Sequence, residues 1–107
     1  NKGKWDLYQT ECLAYLIKRL SEMKEGDGSV LDNTCILYGS SNSKTHNNNN
    51  YPLVLAGGKD MGYGHGQYLR FDNDVPFANL FVTIQKSLGV KADSFADSTG
   101  GMKEVLA

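Results

Sequence analysis

The sequence has no long apolar run, no excess of charge of either sign, and only two cysteines. A membrane-spanning helix needs about 20 consecutive apolar residues. The purely apolar stretches here are as short as Leu53 to Ala56, so no membrane span is expected. Lys and Arg number 11 against 12 Asp and Glu, for a net charge of -1. A nucleic-acid partner calls for a concentrated basic face. The basic residues are instead scattered, the closest pair being Lys18 and Arg19, so no nucleic-acid partner is expected.

The cysteines, Cys12 and Cys35, form no CxxC pair, and His46 and His65 supply no HxxxH. That excludes the common zinc-finger spacings. The expectation is two buried free thiols, one on a helix and one in a strand. A disulfide between them would need a helix–strand contact of the right geometry. No basic segment followed by an apolar one marks a secretory signal. The chain opens at Asn1, which reads as a slice of a longer polypeptide. A slice without a signal says nothing about location.

What remains is an ordinary balance for a folded domain: 107 residues, 40% hydrophobic and 21% charged. That bounds the chain to a single domain or a domain fragment spanning residues 1–107. A core this small leaves much surface exposed and gives marginal stability.

Residues from Trp5 to Lys24 carry Leu13, Leu16, Ile17 and Leu20 at helical spacing, and Leu7, Tyr8, Cys12 and Met23 widen that stripe. Gly26 and Gly28 are expected to end this helix. Thr34 to Tyr38 reads as a strand that is apolar on both alternations, the pattern of a central strand covered on both faces. A polar loop follows from Gly39 to Asn50. Leu53 to Ala56 reads as a second buried strand, with Pro52 at its edge and Gly57 and Gly58 closing it. Gly62-Tyr63-Gly64-His65-Gly66 lacks the Gly-Lys-Ser/Thr ending of a phosphate loop, so it reads as a hairpin or arm with Tyr63 packed down. Gln67 to Phe71 reads as a short strand or extended arm. Pro76 opens a second helix along Phe77, Leu80, Phe81, Ile84 and Leu88, with Gly89 as its stop. Phe95 and Leu106 are the expected anchors of the tail. Two strands that look covered on both faces imply that further sheet comes from polypeptide outside these residues.

Several segments carry a family resemblance. Asn33-Thr34-Cys35-Ile36-Leu37-Tyr38-Gly39-Ser40 resembles a strand-and-loop opening of the C-terminal region of the HXXSHH-motif family, a bacterial domain of unknown function. Thr45 to Gly58, with its His loop, Pro-started apolar strand and paired glycines, is similar to that family's most distinctive stretch. Gly66 to Phe71, Val75 to Leu80, Leu88 to Val90 and Phe95 to Gly100 resemble the segments that follow. The match runs from Leu31 to Gly101. It is distantly similar to the alkaline phosphatase and sulfatase superfamily.

The resemblance implies an α/β fold: the C-terminal part of a helix-flanked, mainly parallel, alkaline-phosphatase-like sheet. It implies a periplasmic or secreted protein. It also implies a metal-dependent hydrolase of phosphate or sulfate esters in full-length form, with a divalent metal at His46. The loop after the first strand lies where α/β sheets place ligands, which makes Ser40, His46, Asn48 and Asn49 the candidate binding residues. The family loop often carries two His separated by one residue. Here His46 matches the first, and Asn48 stands where the second would be. The superfamily's Asp-His pair after the strand is also replaced, by Gly39-Ser40-Ser41. Both departures favour the alternative, a non-catalytic binding or structural module that keeps the scaffold without metals. Either way the expected partner is the remainder of its own polypeptide or a neighbouring subunit.

Overall fold

The computed structural model describes residues 1–50 and 52–107. Tyr51, inside the segment that resembles the family's His loop, lies outside the described residues. Helix α1 spans Lys2–Glu22, and the Asn1 side chain caps it by accepting from the Lys4 N–H at 3.0 Å. A two-residue hairpin follows, β1 (Lys24–Glu25) antiparallel to β2 (Gly28–Ser29). Gly26 takes φ 58° in its turn. The helix ends at Met23, ahead of the glycines expected to stop it; Gly26 instead turns the hairpin, and Gly28 lies in β2. A 3₁₀ turn at Val30–Asn33 leads into β3 (Cys35–Gly39), and β4 (Leu53–Gly57) follows the polar loop. Helix α2 covers Ala78–Ser87. Pro76 and Phe77 form the tightened turn before it, their carbonyls accepting from Asn79 and Leu80. Gly89 ends it at φ 80°.

Strands β3 and β4 pair antiparallel, with Leu37 opposite Leu55 and Tyr38 opposite Val54. The expected mainly parallel, alkaline-phosphatase-like sheet is therefore wrong for the described residues, which form two two-stranded antiparallel sheets. The reason lies in the connection. A parallel crossover normally carries a helix that packs on the sheet face. The segment from Ser40 to Pro52 has no apolar periodicity, and its described residues hold only a short 3₁₀ turn at Lys44–His46. It has nothing to bury across the sheet, so the chain doubles back beside the strand it left.

The core is small. Tyr63, Leu80, Met102 and Val105 form its buried centre, and Cys35, Leu37 and Leu55 pack on it from one face of the sheet. Val82 on α2 is completely buried. The tail is held by Met102 and Val105, whereas the expected anchors Phe95 and Leu106 remain exposed. Two hydroxyl and amide side chains of α2 are also buried and matched. Thr83 Oγ1 accepts from the Met102 N–H at 2.7 Å, and Asn79 binds Thr99. Gln67 to Phe71 forms no strand and runs as an extended arm.

Helix α1 departs furthest from expectation. None of its residues is buried, and Leu16 is exposed along with Trp5, Tyr8 and Tyr15. It touches the body through the 3₁₀ turn at Val30–Asn33 and through β2. Cys12 on this helix is exposed and Cys35 is half-buried, and both are free thiols. The strands are half-buried rather than fully covered, with Val54 exposed. The radius of gyration is 15.1 Å, against about 13 Å for a compact domain of this length. The exposed area is 7925 Å² for 11.8 kDa, where a compact chain shows about 5,900 Å². Apolar surface that the sequence patterns for burial is thus left open.

Candidate binding groove

The loop after β3 builds itself from short polar side chains. The Asn42 N–H donates to Ser40 Oγ at 3.2 Å, and the Asn49 N–H donates to Asn47 Oδ1 at 3.0 Å. Such local bonds let Ser and Asn replace the regular ladder of a strand or helix. Ser43 closes the short turn inside the loop by donating its N–H to the Asn47 carbonyl at 2.5 Å. Thr45 and His46 are held at φ 55° and 59°, a conformation rare for a β-branched residue. The whole loop is exposed except for Ser43.

Beside β4 lies an open groove of about 1220 Å³. Its floor is the core itself: Leu37, Leu55, Leu80, Met102 and Val105. The arm of residues 64–73 forms one wall, and the start of α2 with Phe77 and Phe81 forms another. Asn48 and Asn49 stand at its rim, with Arg70, Asp72 and Asp97 as its charged groups. Tyr68 on the arm is 89% exposed.

The four expected site residues therefore part company. Asn48 and Asn49 reach the groove, whereas Ser40 and His46 do not line it. The histidine that does is His65, for which the sequence reading found no chemical role. Its Nε2–H donates to the Gly57 carbonyl at 2.5 Å, and its ring lies stacked 6.4 Å from that of Tyr63. The flanking glycines give the backbone freedom for that approach, Gly66 at φ 79°. His65 thereby fastens the arm to the end of β4.

Tyr63 is buried beneath the groove, its hydroxyl 2.6 Å from Ser87 Oγ. Burial pushes its phenol above the usual 10.0, and the neighbouring Cys35 thiol adds to this while the Ser87 bond works the other way.

A divalent metal at His46 needs partners of its own. Among the described residues, no three His, Cys, Asp or Glu side chains come together as a ligand set. Around His46 the loop offers Lys44, Thr45 and Asn47. The residues present do not fit a metal there, since one imidazole is a single ligand where even a catalytic zinc site takes three from protein. Among the described residues, no helix is long and apolar enough to cross a membrane. No family model, curated protein or solved structure matches this chain.

Proposed function

We propose that this chain is a non-catalytic binding or structural module whose groove beside β4 receives polypeptide, namely the remainder of its own chain or a neighbouring subunit. The carrying observation is the groove, whose floor is the hydrophobic core. Small-molecule sites typically enclose roughly 300–1,000 Å³ and bury most of their ligand. This one is larger, at about 1220 Å³, and open to solvent. Its floor residues Leu80, Met102 and Val105 belong to the buried cluster. A segment of chain with apolar side chains suits such a floor, and Asn48, Asn49 and Arg70 suit its backbone carbonyls.

The resemblance of Leu31 to Gly101 to the HXXSHH-motif family supports the same reading, because there the equivalent region is one part of a larger protein. A periplasmic or secreted setting comes with that resemblance. The ester-hydrolase reading rests on His46, which stands in solvent outside the groove.

Fragment complementation tests the proposal. The chain is mixed with the separately produced remainder of its polypeptide, and association is followed by hydrogen exchange along residues 67–71. Slowed exchange there, lost in Phe71→Asp, is the expected result. No association would sink the reading. Chelator-sensitive turnover of phosphate or sulfate esters by the reassembled protein would remove its non-catalytic part.

A further inference from the structure

The two outer edges of the β3–β4 sheet are not alike. The edge of β4 is managed. Pro52, which has no N–H to offer, leads into it, and His65 holds the Gly57 carbonyl at its far end. The edge of β3 lacks two of the usual protections: residues 35–39 include no charge and no proline. Among the described residues, β3 pairs with β4 alone, and no backbone group of Cys35–Gly39 bonds to anything beyond that pairing.

Its two faces are equally suggestive. Cys35 and Leu37 pack toward the core with Leu55. By strand alternation Ile36 and Tyr38 lie on the other face, beside Val54 and Ala56. Apolar side chains on both faces are the pattern of an interior strand. A two-stranded sheet is marginal alone, and three or more strands are the usual minimum.

We propose that the free edge of β3 is a pairing surface for a second copy of this chain. The two β3 strands meet antiparallel about a two-fold axis at Leu37. Leu37 then faces Leu37 of the other copy, Ile36 faces Tyr38, and Cys35 faces Gly39. Each is an uncharged pair, and the ends set the small Cys35 against Gly39. Aromatic–β-branched pairs such as Tyr38 with Ile36 are among the favourable cross-strand contacts. The product is one four-stranded sheet in the order β4-β3-β3-β4, with its edges at the managed strands. The arrangement is self-complementary, as a two-fold contact requires. The chain exposes roughly 2,000 Å² more than a compact one of its mass. A standard interface takes roughly 800 Å² from each partner, and the open surface of the chain, spread over α1 as well as the sheet, exceeds that. The net charge of -1 opposes association only weakly.

Sedimentation equilibrium of the chain, with hydrogen exchange of residues 35–39, decides the matter. The expected result is a mass approaching twice 11.8 kDa as concentration rises, with slowed exchange in β3. Tyr38→Lys and, separately, Ile36→Lys should return the chain to its single mass while keeping the helical circular-dichroism signal. Val54→Lys, on the same face but on β4, should leave the dimer intact. A single-chain mass at every concentration overturns the proposal, and needs no variant that must fold. So does a dimer that survives both β3 lysines, or one lost equally in Val54→Lys, which would place the contact on the sheet face. Complementation through the groove is a separate measurement, so either reading can fail without the other.

Discussion

Asn79 and Thr99 hold each other twice: the Thr99 N–H donates to Asn79 Oδ1 at 2.8 Å, and Asn79 Nδ2 donates to Thr99 Oγ1 at 3.2 Å. Asn79 is buried in the first turn of α2, twenty residues from its partner. This pair, with Thr83 receiving the Met102 N–H, pins the tail across the helix. Removing Asn79 gives up both bonds, each worth about 0.5–1.5 kcal/mol net, and leaves the exposed Thr99 to water. Asn79→Ala should therefore lower unfolding stability by about that much, read as a lower urea midpoint at unchanged slope. An unchanged midpoint would mean the tail is not held through this pair.

Gly57 carries a steric demand that no other residue meets. Its φ is 76°, and a Cβ there would sit 2.1 Å from the Thr34 carbonyl oxygen, a backbone atom that cannot swing aside. Left-handed backbone alone costs an alanine about 1–2 kcal/mol, and the clash adds to it. Gly57→Ala should cost more than about 2 kcal/mol in the same denaturation experiment. Gly66→Ala shares the positive φ but meets open space, so it should show the conformational part alone. Equal effects at the two positions would contradict the close approach at Gly57.

Tyr63 predicts an alkaline limit to stability. Its phenol titrates above 10.0 in the fold because burial disfavours the charged form. In the unfolded chain it ionises near its ordinary value, so the contribution is complete below about pH 10 and fades as pH rises through the folded value. Unfolding free energy measured between neutral pH and pH above 10 should fall, and Tyr63→Phe should flatten that fall. A fall of undiminished size in Tyr63→Phe would assign it to other groups.

Trp5, the sole tryptophan, reports on the open stripe of α1. It is 58% exposed and lies 5.8 Å from Tyr8. Its fluorescence should be red-shifted and readily quenched by acrylamide in the dilute chain. A blue-shifted, protected emission would show that something covers this helix face in solution.

Much of the local structure was legible from the residues. The spacing of Leu13, Ile17 and Leu20 marks α1, Pro76 and Gly89 bracket α2, and the apolar blocks around Ile36 and Val54 mark the two main strands. These depend on short-range terms: periodicity, caps, and the backbone limits of proline and glycine. The packing of Tyr63 under the glycine-rich arm was likewise readable, since a large ring among small residues has one place to go. The hairpin at Gly26 was missed because its two-residue strands carry no alternating apolar pattern.

The direction in which β4 returns beside β3 was not written in either strand, because a segment apolar on both faces satisfies parallel and antiparallel partners alike. It was settled by a connection with nothing to bury across the sheet. The division of the candidate site was decided at the same level. Ser40, His46, Asn48 and Asn49 are near neighbours in sequence, yet the left-handed backbone at Thr45 and His46 accompanies a loop that brings the asparagines to the groove and leaves His46 in solvent. His65 sits beside Gly57 because the glycine-rich arm folds back on β4. Local residue patterns set the elements and the apolar surface they must hide. Which surface found a partner within these residues, and which stayed open at the groove and along β3, follows from how long-range contacts close, and no local pattern encodes that.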